Sequence, residues 1–528
     1  MRDWSLKGRL YAVCAKLARI VTPLMTATRR LGLFLPLALL LLAGTSGARG
    51  PAGQRTDARP NILFILTDDQ DLLLGSLDVM PNVRALIAGQ GLTFTNDFVP
   101  LSLCCPSRST ILTGEYAHNH RVYTNFPPDG GYQEFFARGL EAATIGTAMH
   151  AAGYRTALMG KYLNSYPAGA QTTHVPPGWD EWDVPVNGAA YGGFNYTLNQ
   201  NGAMVPHGHT PADYMTDVLA ARARDFIMAA GKGPAPFFLY LATYAPHKPS
   251  TPAPRHSQLF PGAQAPRTPS FNEADVRDKP QENRKTSLSA KDIATLDQLY
   301  RRRLQALQAV DEMVAALVQT LQSSGQLDHT YIFFTSDNGY HMGQHRLRAG
   351  KYTAYEEDVR VPLLVRGPGV PAGSTSDAFT LNVDFAPTIA ALGGATLRTR
   401  FDGRSLVPLL GGGPAPAGWR RAVFLEQFAF REVPQDAGGI LEPAEDQAGV
   451  QEYASHLGLR TPTYKYVEYA TGEREVYDLA HDPAELQNIA AHMNAKFLSR
   501  LSAIVRGLSA CRGASCRQLD AAPMPALP

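Results

Sequence analysis

The chain has 528 residues, more than one hydrophobic core usually holds, so a large domain with a smaller companion is expected. With 45% hydrophobic and 18% charged residues it is too apolar for a disordered chain. A net charge of +2 gives no basis for a nucleic-acid partner, so any preference for anions must come from a local site.

The N-terminus reads as a targeting segment. Arg29 and Arg30 precede an apolar run from Leu31 to Ala43, and Ser46-Gly47-Ala48 supplies small residues for cleavage. The run is too short for a spanning helix and suits a signal peptide over residues 1–48, with Met25 as an alternative start. Export to a secreted, periplasmic or lysosomal location follows, without a stable membrane anchor; a retained anchor is the alternative. Cys14 would leave with the leader, and the mature chain keeps Cys104, Cys105, Cys511 and Cys516. The last two, in CRGASC, suit a small disulfide loop in an oxidising compartment, the alternative being two free thiols. Asn195-Tyr196-Thr197 is a glycosylation sequon.

A polar linker from Arg49 to Pro60 leads into alternating strands and helices. Asn61 to Thr67 is a continuous apolar run, as expected of a parallel strand covered on both faces, and ends in Asp68-Asp69. Within Cys104-Cys105-Pro106-Ser107-Arg108, the proline favours a first helical turn, Ser107 to Thr113 continue it, and Gly114 stops it. Cys104 then faces a helix N-terminus that attracts anions, and Arg108 lies one turn inside, able to reach back toward an oxyanion. Thr156 to Met159 forms a second strand ending in Gly160-Lys161; Phe237 to Ala242 a third, leading to Pro246-His247-Lys248-Pro249; Tyr331 to Thr335 a fourth, leading to Asp337-Asn338. Met215, Leu219, Ala223 and Phe226 mark one helix face ending at Gly231, and Leu304, Leu307, Val314 and Leu321 another ending near Gly325.

Strand–helix alternation implies a doubly wound α/β sheet, in which ligands bind beyond the carboxyl ends of the strands. Each of the four strands puts its polar residues there, so the clusters can converge. Pro252 to Asn283 reads as a long surface excursion. Gly411 to Pro416 is the best boundary, separating a catalytic domain over 59–410 from a small C-terminal domain over 417–528. The latter holds strand patterns at Ala422 to Glu426, Tyr464 to Tyr469 and Glu475 to Asp478, the last two joined by a turn at Thr471-Gly472. Asp68, Asp69, Asp337 and Asn338 form an all-oxygen ligand set that suits Ca²⁺ or Mg²⁺ over Zn²⁺. His247 is the best proton donor near neutral pH.

The signature Cys-x-Pro-Ser-Arg, the wording CCPSRSTILTGEYAHNH, the lysines in GKYLN and GKYTAYEE, and VYDLAHDPAELQNIA resemble the sulfatase family, in particular its N-acetylglucosamine-6-sulfatase and arylsulfatase branch. The resemblance covers nearly all of Arg59 to Ala490 and implies an alkaline-phosphatase-like α/β sheet flanked by helices, with a small C-terminal sheet-plus-helix domain. It implies that a formylglycine-generating enzyme oxidises Cys104 to formylglycine, that a divalent metal, usually Ca²⁺, sits on Asp68, Asp69, Asp337 and Asn338, and that residue 104 completes the metal shell. The hydrated aldehyde has two hydroxyls: one attacks sulfur, and the other, losing its proton, expels sulfate. Lys161 and Lys351 match the sulfate-binding lysines and His247 the donor to the leaving alcohol. One departure stands out: many sulfatases carry His two residues after the first lysine, where this chain has Leu163 and then Asn164. His118, His120, His341 and His345 are candidates for the missing base, or are structural. The expected activity is hydrolysis of a sulfate monoester on a sugar or aryl alcohol. The rivals are a phosphonate monoester or phosphodiester hydrolase and an unmodified sulfatase-like binding protein.

Overall fold

The computed structural model describes residues 57–167, 173–186, 188–432 and 451–528. The expected leader, residues 1–48, lies outside them. Among the described residues no helix is long and apolar enough to cross a membrane.

The apolar runs form the middle of an 11-stranded sheet. Arg155–Gly160, Phe237–Ala242, Asn61–Thr67 and Thr330–Ser336 lie side by side and parallel, with Ile62 level with Phe238 on one side and Tyr331 on the other. Every residue of Asn61–Thr67 is buried, which is why this strand reads as an unbroken apolar run and not as an alternation. Around this parallel centre the sheet is mixed. Arg360–Arg366 pairs antiparallel with both Thr330–Ser336 and Leu92–Phe98, and at the other edge Thr197–Gln200 and Ala203–Pro206 add antiparallel strands.

Side chains alternate across the strands. Ile62, Phe64, Phe238 and Tyr240 pack on one face beneath the helices Cys104–Thr113, Ile145–Ala151 and Phe385–Gly393. Leu63, Ile65, Leu239 and Phe334 pack on the other, against Met215–Ala230 and Ala290–Ser323. Truncating any one of these leucines to alanine would cost ~2–5 kcal/mol.

Two helices differ from the sequence expectation. The second long helix starts well before Leu304, at Ala290, because Ser289 and Asp292 form a reciprocal capping box there. Its polar-rich first turns still bury Leu296, Leu299 and Tyr300 in a satellite cluster with Tyr340. The cysteine helix starts at Cys104 itself, with Leu103 as an extended N-cap whose carbonyl accepts the Ser107 N–H at 3.0 Å. Pro106 therefore sits in the third helical position, still among those whose N–H has no helical acceptor. Gly114 ends the helix at φ +73°, as its sequence position implies.

The C-terminal hairpin Tyr464–Tyr469 and Arg474–Asp478 is extended by His456–Arg460, which the sequence did not reveal, and by Val423–Gln427 into a four-stranded antiparallel sheet. Its core, with Phe424, Leu459, Tyr466 and Val505, includes Phe98 and Tyr116 from the large-sheet side. Cys511 and Cys516 are disulfide-bonded.

Candidate active site

Because the four central strands are parallel, their carboxyl ends share one edge of the sheet. Asp68, Lys161, His247 and Asp337 therefore meet there, and the cysteine helix points its N-terminus at the same place. Cys104 Sγ lies 3.4 Å from Asp68 Oδ1, 3.8 Å from Asp69 Oδ1 and 2.8 Å from Lys351 Nζ. Lys351 Nζ also donates to Asp69 Oδ1 at 2.7 Å, and Lys161 Nζ to Asp68 Oδ2 at 2.6 Å. His247 Nε2 is 3.5 Å from Asp69 Oδ2, while its Nδ1 meets the Lys248 carbonyl at 2.7 Å. Asn338 Nδ2 donates to Asp69 Oδ1 at 2.7 Å. All nine residues singled out in the sequence thus fall in one buried cluster.

Arg108 also braces the site. Its Nε donates to Asp337 Oδ2 at 2.8 Å and its Nη1 to the Lys161 carbonyl at 2.9 Å, so two arms of the fork brace the site. Nη2, 3.7 Å from Asp68 Oδ1, is buried without a hydrogen-bond partner and remains available to an anion. Asp69 holds φ at +62°, a left-handed backbone that a non-glycine residue adopts only when its surroundings enforce it. The enforcing contacts are its own N–H, donated to Asp337 Oδ1 at 3.0 Å, and its carbonyl, which accepts from Arg303 Nη2 at 2.5 Å.

Burial opposes charge on Asp68, Asp337, Cys104 and Lys161, and the neighbours set the outcome. Burial pushes the Asp68 carboxyl up, but Lys161, His247, Arg108 and Lys351 outweigh it and hold the group well below the usual carboxylate range. Asp337 is pushed up to about 6 by burial and by Asp68 beside it. The Cys104 thiol rises through burial despite the two lysines. For Lys161, the pull of Asp68 overcomes the desolvation that alone would lower it.

The residues present fit a divalent cation. Asp69 Oδ2 and Asn338 Oδ1 are buried oxygens with no hydrogen-bond partner, an arrangement that costs ~1–3 kcal/mol per atom unless something positive accepts them. Asp68, Asp69, Cys104 and His247 offer ligand atoms within 4.8 Å of one another. The three carboxylates lie beside Lys161, Lys351 and Arg108, with His247 3.5 Å from Asp69. A hard cation held by the oxygens would then leave the lysines with surplus positive charge for an anionic substrate.

Three neighbours escaped the sequence reading. Arg303 also reaches Asp71 Oδ1 at 3.2 Å and stacks 4.4 Å over Tyr340. Its signal was an arginine within the apolar stripe, one turn from both Leu299 and Leu307. Asn382 donates to Ser107 Oγ at 2.8 Å, and Tyr191 packs 4.7 Å from the His247 ring and 5.0 Å from Lys161 Nζ; neither has a local signature.

The candidate histidines are engaged elsewhere. His118 joins Glu426 at 2.8 Å and the Cys511 carbonyl at 3.0 Å. His120 pairs with Thr110 at 3.0 Å, and burial pulls it down to about 3. His341 meets Asp358 at 2.9 Å, and His345 meets Glu273 at 2.7 Å, with burial pulling His345 down to about 4. Leu163 is absorbed into the apolar core, and Asn164 Nδ2 reaches the Tyr191 hydroxyl at 3.4 Å.

Residues 60–395 match the family model described as Sulfatase. The chain is 38% identical over 501 residues to N-acetylglucosamine-6-sulfatase of Homo sapiens, covering 91% of this chain and 90% of that one. To arylsulfatase of Volvox carteri it is 34% identical over 508 residues, covering 87% and 76%. Among solved structures, a protein in complex with its substrate D-glucosamine-2-N,6-O-disulfate aligns with a TM-score of 0.65 at 26% identity, over 85% of this chain and 97% of that one. The phosphonate monoester hydrolase of Agrobacterium radiobacter aligns at 0.63 and 25% identity, over 85% and 95%. The architecture is the alkaline-phosphatase-like sheet with a small C-terminal sheet. With these matches and the converged cluster around Cys104, the chain belongs to the sulfatase family, as an enzyme that hydrolyses sulfate esters.

Proposed function

We propose that this enzyme removes sulfate from a sulfated sugar, with 6-O-sulfated glucosamine or N-acetylglucosamine units as the preferred substrate, after oxidation of Cys104 to formylglycine. The observation that carries the reading is the position of Cys104. It heads a buried helix with its sulfur between Lys351 and Asp68, at the focus of the carboxylates and cations. The choice of sugar is supported by the named substrate of the aligned structure and by the human relative.

Once oxidised, residue 104 supplies a hydrated aldehyde that can take up the sulfuryl group and release it again. A divalent ion held by Asp68, Asp69, Asp337 and Asn338 supplies a Lewis acid beside it, with Ca²⁺ or Mg²⁺ suiting the all-oxygen set. Lys161 and Lys351, each anchored on a carboxylate, present their ammonium groups to the sulfate oxygens. Arg108 fixes Asp337 and the Lys161 backbone, and so holds both sides of the pocket in register. His247, its Nδ1–H bound to the Lys248 carbonyl, turns Nε2 toward the cluster, and from the doubly protonated ring the Nε2 proton passes to the leaving alcohol, leaving the neutral imidazole.

The expected leader supports export to a secreted, periplasmic or lysosomal setting, with a formylglycine-generating enzyme acting on Cys104. The test is twofold. The peptide containing Cys104 must lose sulfur and gain an aldehyde by mass, and a panel of monosulfated glucosamines must show release from the 6-position ahead of others. An unmodified thiol in active protein refutes the mechanism, and preference for another position refutes the substrate. The phosphonate monoester hydrolase among the aligned structures supports a second reading, and faster turnover of phosphonate than of sulfate esters would favour it.

A further inference from the structure

A second cluster of buried titratable groups lies away from Cys104. His345, Glu357 and Glu485 each offer one ligand atom, and these atoms lie within 4.8 Å of one another. His345 is fully buried, and the two glutamates are 7% and 1% exposed. His345 Nδ1 faces Glu273 Oε2 at 2.7 Å; with Glu273 ionised the ring proton sits on Nδ1 and Nε2 carries a lone pair. That Nε2 is buried and has no hydrogen-bond partner. An unpartnered ring nitrogen and two carboxylates are thus brought together in one buried cluster.

The neighbouring cations are committed around the rim. Lys465 Nζ is shared between Glu485 at 2.7 Å and Glu356 at 3.0 Å, and Arg460 pairs with Glu356 at 3.3 Å. Arg360 is also on Glu356, at 3.7 Å. Lys279 donates to the carbonyls of Glu485 and Leu486 at 2.8 and 2.9 Å and lies 3.5 Å from Glu273. Glu357 accepts from Ser270 Oγ at 3.3 Å, and among the described residues no lysine or arginine pairs with it. Burial pushes Glu485 up to about 8 although Lys465 pairs with it, so the cluster is relieved either by a proton or by a further cation.

We propose that His345, Glu357 and Glu485 bind a divalent transition-metal ion, at a site separate from the Asp68–Asp337 centre. One imidazole nitrogen with two carboxylates suits Zn²⁺ better than Ca²⁺, which prefers oxygen alone. Glu273, bonded to the far nitrogen of His345, is the carboxylate partner that metal-bound histidines use to hold their orientation. The ligands are buried from substrate, so the role is structural. His345 and Glu357 bracket the loop that carries Lys351, and Glu485 belongs to the C-terminal segment. The ion therefore pins that loop to the small sheet's side and holds Lys351 where it reaches Cys104.

Full-length protein stripped with a chelator, then held in excess Ca²⁺ to fill the first centre, is titrated with Zn²⁺, and bound metal is counted by elemental analysis. One Zn²⁺ per chain is expected, retained by Asp337→Ala and accompanied by a rise in melting temperature. His345→Gln and the near-isosteric Glu357→Gln should each weaken it by roughly tenfold or more. No Zn²⁺ bound by the unmodified chain overturns the proposal, as does unchanged affinity in Glu357→Gln, the variant that tests the site should His345→Gln not fold. Metal-free Glu357→Gln matching the melting temperature of the Zn²⁺-loaded protein overturns it too, because the cluster then holds a proton in place of an ion. Each of these readouts is independent of sulfate release, so their failure leaves the proposed activity untouched.

Discussion

Replacing His247 by alanine separates proton donation from substrate binding. The imidazole is held by the Lys248 carbonyl at 2.7 Å and by the Tyr191 ring at 4.7 Å, so its Nε2 has one direction open, toward Asp69 and Cys104. Removal takes away a donor while leaving the oxygens of Asp68, Asp69, Asp337 and Asn338 in place. A positioned general acid contributes ~10²–10⁴ in rate, and for a sugar hydroxyl, a poor leaving group, we expect a loss of roughly 10³ in kcat/KM, about 4 kcal/mol. An acidic phenol leaves with little protonation, so the loss should shrink to roughly tenfold. The assay is kcat/KM for both proteins on aryl sulfates of graded phenol acidity and on glucosamine 6-sulfate, with the log ratio plotted against leaving-group pKa. A rising line is expected. A flat line, with the loss residing in KM, refutes the role and makes His247 a binding residue.

Cys104→Ser should nearly abolish turnover, since serine lacks the second hydroxyl that expels sulfate, and mass analysis should find a retained adduct. Cys105→Ser, which puts a hydroxyl into the buried apolar core, should keep turnover and cost about 1–3 kcal/mol in a denaturant titration. Chelation should abolish activity, with Ca²⁺ or Mg²⁺ restoring it, and Asn338→Ala should raise the metal concentration needed for half-recovery because one buried oxygen ligand is gone. His120 is held neutral to about pH 3 when folded but takes a proton near pH 6.5 when unfolded. Stability should thus be full above pH 6.5 and fall on acidification, by about 2 kcal/mol between pH 6.5 and 5 from this residue. Unfolding of His120→Gln at both pH values should show a smaller drop. Reducing the Cys511–Cys516 bridge opens a short loop and should lower stability by roughly 2 kcal/mol on the chain-entropy estimate.

The residues of the centre were legible in the sequence because parallel strands under double cover read as unbroken apolar runs, and the polar residues that end them are conspicuous. The motif around Cys104 and the turn of the C-terminal hairpin were equally local in origin. The sequence also contained the disulfide spacing and the helix stop at Gly114. Contacts across space were not legible. Arg108 looked free to meet an oxyanion, but Asp337, 229 residues away in the chain, takes its Nε. The antiparallel strands that make the sheet mixed carry no signature of direction, because pairing direction depends on the connection and not on the strand's own residues. His345 and Glu357 lie near one another in sequence, yet Glu485 joins them only when the C-terminal segment folds back. The chain's local pattern determined the elements and the chemistry at their ends. Tertiary structure alone decided which charges neutralise each other and which buried atoms are left wanting a cation, because those balances depend on distances between residues far apart in sequence.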